Sequence, residues 1–132
     1  MTTRQAACCC GQLRLTCEGE PVRISVCHCL DCQRRTGSVF GMQARFTPAQ
    51  IAIEGRFTEF VRRGDSRDSI TFRFCPVCGS TVYWTLAGDP AVIAVAVGAF
   101  ADPGFPPPRR SVYERRRHAW TMLPDTVIEH WD

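Results

Sequence analysis

Apolar and polar residues alternate along most of the chain with a period of two. Residues 13–17 and 22–26 show this alternation on either side of Gly19-Glu20-Pro21, a combination typical of turns. A period of two places every second side chain on the same face of a strand. The two runs therefore predict a β-hairpin with one buried face.

Further short runs of strand character follow, and turn signals separate them about every ten residues. We predict strands at residues 39–46, 51–54, 58–62, 69–74, 81–86, 91–97 and 111–116. The turns between them are predicted at Thr47-Pro48, Gly64-Asp65, Gly88-Asp89-Pro90 and Asp102-Pro103-Gly104. No stretch keeps a helical period, and only residues 29–35 and the turn after Pro48 favour a short helix. The pattern predicts an antiparallel all-β domain with short strands.

Length and charge limit the possible functions. The 132 residues, 45% hydrophobic and 22% charged, suit a single domain spanning residues 1–132. The formal net charge is +3, and all basic residues are arginines, spread from Arg4 to Arg117. Such a spread does not indicate a nucleic-acid partner. The mild positive charge is compatible with an anionic small substrate.

The nine cysteines are the unusual feature of the composition. Residues 1–12 contain no apolar segment of a secretory signal, so we expect a cytoplasmic protein with reduced thiols. An odd number of cysteines cannot be fully paired in disulfides. The longest apolar stretch, residues 91–101, is about half of the roughly 20 residues that a membrane span needs, and we predict no membrane association. These observations favour metal binding over disulfides.

Two cysteine pairs have the spacing of structural zinc ligands. Cys8 and Cys10 form one pair and Cys75 and Cys78 the other, and a glycine follows each pair. A structural zinc takes four ligands, with Zn–S distances of about 2.3 Å, and two such pairs supply four thiolates. A sheet that folds back on itself would bring the pairs together. We predict a closed structural zinc site at these four residues.

A third group, Cys27, Cys29 and Cys32, has only three sulfurs. Three protein ligands with an exchangeable fourth position are typical of a reactive zinc site. The alternative is a site closed by His28, by another cysteine or by a distant side chain. In an extended chain His28 would point away from a metal held by its neighbours, so we expect it to form hydrogen bonds instead. Because this group has fewer ligands, we expect it to lose zinc first.

Two cysteines stand outside these groups. Cys17 lies on the apolar face of its predicted strand and is expected in the core. Cys9 lies between two predicted ligands and has no assigned role.

On these cysteines and their surroundings, the chain resembles the glutathione-dependent formaldehyde-activating enzyme family, which includes the centromere-protein-V-like domains. The matching segments are CCCGQLRL, VCHCLDCQRRTGS, FCPVCGSTVYW and VAVGAFADP, with a looser match at VYERRRHAW. They follow the family's order and cover nearly the whole chain. The resemblance implies bent, Mss4-like antiparallel sheets held together by zinc. It implies a structural zinc at Cys8, Cys10, Cys75 and Cys78 and a catalytic zinc at Cys27, Cys29 and Cys32.

The resemblance also implies an activity, in which glutathione and formaldehyde combine to S-hydroxymethylglutathione, a carbon–sulfur lyase reaction in reverse. The three-cysteine group suits this chemistry, because a thiol bound there would be deprotonated and would be a good nucleophile. Glutathione carries two carboxylates, which arginine binds through paired hydrogen bonds. Arg34 and Arg35, just after Cys32, are predicted to bind this co-substrate, with a solvated turn as the alternative.

Three other functions stay open at the level of sequence. A non-enzymatic zinc module, which would bind a protein partner or carry glutathione, predicts a closed three-cysteine site. A nucleic-acid-binding ribbon is less favoured, because Glu114 interrupts the arginines of residues 109–117. A thiol redox protein is less favoured too, because no helix is predicted after Cys78. The oligomeric state is undetermined.

Overall fold

The computed structural model describes residues 1–63 and 68–132. Within these residues strands are the main regular element, with one α-helix and three short 3-10 turns. The strands are β1 (Thr3–Ala7), β2 (Arg14–Glu18), β3 (Arg23–Cys27), β4 (Gly41–Phe46), β5 (Ile51–Glu54), β6 (Thr58–Arg63), β7 (Ser69–Phe74), β8 (Thr81–Leu86), β9 (Asp89–Ala96), β10 (Arg110–Val112) and β11 (Glu129–His130). The helix is α1 (Leu30–Thr36), and the 3-10 turns are Pro48–Gln50, Val97–Phe100 and Glu114–Arg116.

The strands form two sheets. The smaller sheet has the order β1-β2-β5 and is antiparallel. The larger sheet has the order β11-β10-β3-β4-β9-β8-β7-β6. In the larger sheet β10 runs parallel to both β3 and β11, and the other pairs are antiparallel. The predicted class, an all-β fold of bent sheets with short strands, is confirmed, and the two parallel pairs are an addition to it.

The main core contains residues from both sheets. Cys17 belongs to β2 of the smaller sheet, and Leu13 directly precedes this strand. Both side chains are fully buried. They belong to the same apolar cluster as Ala44 and Phe46 of β4 and Val95 of β9. Burial of these alternating positions accounts for the period of two in the sequence. The predicted core position of Cys17 is confirmed.

The helix α1 lies against the larger sheet, over a second apolar cluster. Phe72 and Trp84 are cross-strand neighbours in this cluster, which is separate from the main core. Arg35 of α1 reaches over both rings. No residue of α1 is itself buried. A few long side chains therefore attach the helix to the sheet.

The predicted hairpin on either side of Gly19 is wrong. β2 is paired on both sides, with β1 and with β5, so it has no free edge for β3. The chain leaves the smaller sheet where Gly19 N donates to Thr2 O at 2.7 Å. It joins the larger sheet where Val22 N donates to Arg45 O at 2.7 Å. The turn thus connects two sheets instead of two neighbouring strands.

The predicted strand at residues 111–116 is wrong in its second half. β10 ends at Val112, and Tyr113 adopts a left-handed backbone conformation with φ of 56°. The 3-10 turn Glu114–Arg116 follows, and the Ser111 hydroxyl donates to the Glu114 carboxylate at 2.8 Å across the bend. The arginines of this segment therefore do not alternate on the two faces of a strand.

The remaining elements agree more closely with the sequence. The helix predicted at residues 29–35 is confirmed as α1, and the turn after Pro48 is confirmed as a 3-10 turn. Strands β1 and β11 have no counterpart among the predictions. The predicted turn at Gly64-Asp65 lies outside the described residues. Over the part of the chain that the structure describes, no helix is long and apolar enough to cross a membrane.

Candidate metal centres and the adjoining cavities

Four cysteines converge where the loop after β1 meets the turn between β7 and β8. The Sγ atoms of Cys8, Cys10, Cys75 and Cys78 all lie within 4.8 Å of one another. The Sγ of Cys10 lies 3.6 Å from that of Cys8 and 3.6 Å from that of Cys75. A tetrahedral ion with Zn–S bonds of about 2.3 Å separates its sulfurs by about 3.8 Å. The structure thus brings the four predicted ligands together at a spacing that fits a closed zinc site.

Hydrogen-bond donors surround these sulfurs. Leu13 N donates to Cys8 Sγ at 3.3 Å, and Val77 N donates to Cys75 Sγ at 3.3 Å. The side-chain Nε2 of Gln12 also donates to Cys75 Sγ, at 3.0 Å. Donors aimed at sulfur stabilise the thiolate over the thiol, and the thiolate is the form that binds metal.

The glycine after each cysteine pair permits the tight turn. Gly11 and Gly79 have φ of 82° and 79°, a region that side chains disfavour. Their amides donate to the carbonyls of Cys8 and Cys75 at 3.0 and 2.9 Å. The first hydrogen bond spans three residues and the second four, so two turns of different length bring the sulfurs of both pairs to one place.

Two of the four thiols ionise readily. Hydrogen bonds from the hydroxyl and the amide of Ser80 lower the pKa of Cys78 to about 5. Burial opposes ionisation of Cys75, but hydrogen bonds from the Cys78 amide and from Gln12 outweigh it and lower the pKa of Cys75 as well. A hydrogen bond from the Gln12 amide favours ionisation of Cys10, but burial and hydrogen bonds with Cys8, Cys75 and Cys78 outweigh it and raise the pKa of Cys10 to about 11.

Three further cysteines meet where β3 ends and α1 begins. The Sγ atoms of Cys27, Cys29 and Cys32 lie within 4.8 Å of one another. Cys29 caps α1, since its Sγ accepts a hydrogen bond from Cys32 N at 3.3 Å. Cys27 and Cys29 are buried, whereas Cys32 is half-buried. Among residues 1–63 and 68–132 no fourth histidine, cysteine or carboxylate joins this group, so its donor set fits a zinc ion with one position left for another ligand.

The three thiols hold their protons unequally. Hydrogen bonds from Cys27 and Cys29 lower the pKa of Cys32 to about 2, and the charges of Arg35 and Arg62 act in the same direction. Hydrogen bonds with Cys29 and Cys32 raise the pKa of Cys27. Of the three cysteines, Cys32, which is the half-buried one, therefore ionises most readily when no metal ion is bound.

Arg35 lies between the three-cysteine group and the sheet. Its guanidinium lies beside Cys32 and 4.5 Å from the centre of the Trp84 ring. Gly41 lies next to both, because a Cβ added there would be 3.0 Å from Arg35 Nη2 and 3.3 Å from Cys32 Cβ. The absence of a side chain at this position leaves room for Arg35 and Cys32 to pack together.

His28 is fully buried and hydrogen-bonded on the side of β10. Its Nε2 lies 3.0 Å from Ser111 Oγ, and Ser111 donates to Glu114, which also accepts from His130. Because the Ser111 proton is directed to Glu114, Nε2 carries the hydrogen in this network. Burial lowers the pKa of His28, so the ring is neutral. His28 is therefore a hydrogen-bonding residue in this structure and is not grouped with the three sulfurs.

Two cavities adjoin Arg35. One, of about 690 Å³, extends from the four-cysteine site towards α1 and includes Cys9 and Phe40 in its walls. The other, of about 580 Å³, lies between α1 and the edge of the larger sheet; we call it the arginine cavity. Its charged lining residues are Asp31, Arg34, Arg35, Arg62 and Arg63. None of the three grouped cysteines lines either cavity, whereas Arg35 lines both.

The two arginines predicted to bind carboxylates have different surroundings. Arg34 is exposed and faces Asp31 at 3.9 Å. Arg35 is already engaged with Cys32 and Trp84. Both line the arginine cavity, so the structure brings them to one place and gives only Arg35 a direct contact with a predicted metal ligand.

Arg62 is a site residue that the sequence analysis missed. Its side chain is only 17% exposed, and its guanidinium lies 4.5 Å from the centre of the Phe72 ring. It also lines the arginine cavity. The alternation in β6 could have indicated this position. Arg62 lies two residues after Phe60 and therefore on the same face of the strand, and Phe60 pairs with Phe72. An arginine at such a position has to be paired or functional.

Two comparisons with known proteins found a match, one with a family model and one with a solved structure. The family model described as "Glutathione-dependent formaldehyde-activating enzyme" matches residues 3–116. Among solved structures, the chain is similar to the crystal structure of a Rhodobacter sphaeroides protein, with a TM-score of 0.57 and 19% sequence identity. That match covers 97% of this chain and 99% of the other, and it concerns the fold alone. A search of the curated proteins found no match.

Proposed function

The chain belongs to the glutathione-dependent formaldehyde-activating enzyme family, and we propose that it makes or breaks a carbon–sulfur bond on a glutathione adduct. The reference reaction is the formation of S-hydroxymethylglutathione, so the enzyme would be a carbon–sulfur lyase acting in reverse. The observation that carries the proposal is the group of Cys27, Cys29 and Cys32, which has no fourth protein ligand among the described residues. Its most exposed member, Cys32, is next to Arg35.

Two zinc ions per chain would serve different purposes. The structural ion would be held by Cys8, Cys10, Cys75 and Cys78 and the catalytic one by Cys27, Cys29 and Cys32. A zinc ion in the three-cysteine group would lower the pKa of a thiol at its open position and keep it as a thiolate. The four-cysteine group supplies every ligand that a structural ion needs.

The reaction would need only a sulfur nucleophile and a carbonyl carbon. The glutathione sulfur attacks the carbon of formaldehyde, a C–S bond forms, and the C=O π bond opens onto oxygen. The oxygen takes up the proton that the thiol released, so no oxidant or reductant is required. Arg35 offers guanidinium donors beside Cys32, where they would stabilise the negative charge that develops on this oxygen.

The glutathione carboxylates would be bound outside the metal group. The prediction that Arg34 and Arg35 bind them is supported by their place in the wall of the arginine cavity. Arg34 is exposed and free to meet a ligand from solvent, apart from Asp31 at 3.9 Å. A cytoplasmic location, where glutathione is abundant, stays a prediction.

Titration calorimetry with glutathione tests the proposal. The purified zinc protein is expected to bind one glutathione per chain with release of a proton, and Cys32→Ala is expected to abolish this binding while the fold is kept. Cys9→Ser is the matched control, because Cys9 is exposed and belongs to neither group. Carbon NMR with labelled formaldehyde would then detect the hydroxymethyl thioether.

Two outcomes would reject the proposed enzymatic function. A fully metallated protein that binds no thiol would favour the non-enzymatic zinc module that binds a protein partner. A protein that binds glutathione but does not change the rate of adduct formation would favour a glutathione carrier.

A further inference from the structure

The arginine cavity has an excess of positive charge. Four arginines line it, from α1 and from β6, against a single carboxylate among the described residues, that of Asp31. Asp31 is 3.9 Å from Arg34 and 3.9 Å from Arg62, at the limit of an ion pair. One distant carboxylate cannot neutralise these charges, so the cavity attracts an anion.

Two of the arginines stack on the same ring. The guanidinium of Arg62 lies 4.5 Å and that of Arg35 5.6 Å from the centre of the Phe72 ring. The Nε atoms of both are buried and have no hydrogen-bond partner in residues 1–63 and 68–132. Stacking fixes the plane of a guanidinium and leaves its edge available for a planar carboxylate. An anion between the two would also relieve the repulsion of like charges.

The cavity is placed to receive part of a ligand whose thiol is at the three-cysteine group. Arg35 belongs to the cavity wall and packs beside Cys32. A volume of about 580 Å³ is in the range of small-molecule sites. Formaldehyde, with one carbon, needs no such space, so the cavity serves the thiol partner.

We propose that the arginine cavity is a carboxylate subsite and that Arg62 is its anchor, so that the enzyme selects thiols that carry a carboxylate over neutral thiols of the same size. Arg35 is engaged with Cys32, and Arg34 is exposed. Arg62 is half-enclosed, oriented by Phe72 and lacks a close acidic partner among the described residues. This proposal rests on the thiol site of the proposed function, and the test separates the two.

The test compares glutathione with glutathione diethyl ester, which has the same thiol and no carboxylates. Calorimetry on the zinc protein is expected to give an affinity for glutathione about tenfold higher or more, because hydrogen bonds to charged groups contribute that much. In Arg62→Gln most of this preference is lost, because the affinity for glutathione falls by more than the affinity for the ester. Arg62→Lys keeps the charge but not the paired hydrogen bonds of a guanidinium, so its affinity for glutathione lies between those of the native protein and Arg62→Gln.

Arg73→Gln is the matched control. Arg73 is also 17% exposed and lies 5.5 Å from the centre of an aromatic ring, that of Tyr83, but it is paired with Glu59 at 3.0 Å and lies outside the arginine cavity. This variant is expected to keep the full preference for the acid. Melting temperatures of all variants check that the fold is retained.

Three results would overturn the proposal: equal affinities of the native protein for the acid and the ester, an unchanged preference in Arg62→Gln, or an equal loss of both ligands in that variant. If neither thiol binds, the proposed thiol site fails, and S-methylglutathione, whose sulfur is capped, then tests the cavity alone. Binding of S-methylglutathione that Arg62→Gln weakens would support the carboxylate subsite, and no binding would reject it.

Discussion

The guanidinium of Arg35 lies 4.5 Å from the centre of the Trp84 ring and fastens α1 to the larger sheet. The helix has seven residues and buries none of them. A helix this short is not stable by itself. The helix is therefore held by Arg35, by the cysteines at its start and by Gln33, whose Nε2 donates to His28 O and Arg116 O. The cysteines couple the geometry of the proposed thiol site to its metal.

Removal of the more labile metal is expected to release α1 and leave the sheets in place. A mild chelator that takes one zinc per chain should raise the hydrogen exchange of residues 30–36, because the helix then loses part of its attachment. Exchange in β2 and β7, on either side of the four-cysteine site, should not change. Loss of protection in these strands at the first step would contradict the assignment of the labile ion to the three-cysteine group.

Cys75→Ser is expected to unfold the domain. Cys75 is fully buried and accepts hydrogen bonds from Gln12 and Val77, and a structural zinc contributes about 10 kcal/mol or more to folding. That is comparable to the whole stability of a small domain. Circular dichroism and proton NMR measure the effect. Cys9→Ser, the control, should fold normally, and a folded Cys75→Ser would mean that the four thiols do not hold a structural ion.

Gly41→Ala is expected to disturb the three-cysteine site. The added Cβ would be 3.3 Å from Cys32 Cβ and 3.0 Å from Arg35 Nη2. The cost of such overpacking is about 1–3 kcal/mol, and the displaced Cys32 should retain zinc less well. Denaturant titration and zinc analysis measure both. Gly98→Ala meets nothing within 4 Å and should behave as the native protein. Equal zinc retention in the two variants would argue against close packing at Gly41.

Glu114→Gln is expected to change how the free energy of unfolding depends on pH in acid. Burial alone would raise the pKa of Glu114, but hydrogen bonds from His130 and Ser111 outweigh it and lower the pKa below its usual value. The carboxylate therefore adds stability above the unfolded pKa of about 4.3, and this stability is lost as the pH falls through the lower folded pKa.

Denaturant titrations of the native protein and of Glu114→Gln over a range of pH isolate this contribution. Loss of zinc in acid affects both proteins, so it cancels in the difference between their free energies of unfolding. The variant should be less stable at neutral pH, and the difference should shrink below about pH 4. A difference that is constant over this range would assign the loss to packing instead of charge.

Most strands could be predicted from the sequence, because the buried positions follow its alternation with a period of two. The alternation at residues 13–17 predicted strand β2, in which Leu15 and Cys17 are buried. It could not reveal which strand becomes the neighbour, since Gly19 suits a hairpin and a crossing between sheets equally well. The polar strand β1, which fills the edge of β2, has no hydrophobic pattern to mark it.

The candidate site was predictable as far as its chemistry is local. Cysteine spacing pointed to the groups that the structure brings together, and the capping of α1 by Cys29 explains the short helix there. Arg62 was missed because it is distant in sequence from the cysteines and joins them only through the packing of β6 beside Phe72. Tyr113 was missed because a left-handed residue other than glycine has no clear sequence signal.

Cadmium NMR of the metal-substituted protein tests the central claim most directly, since the cadmium resonance reports how many thiolates surround the ion. Two resonances are predicted, one from the four-thiolate site of Cys75 and its partners and one from the three-thiolate site of Cys32 and its partners. Addition of glutathione should move the second towards the first, as a fourth thiolate binds, and leave the first unchanged. A single resonance, or two that do not respond to glutathione, would contradict the account.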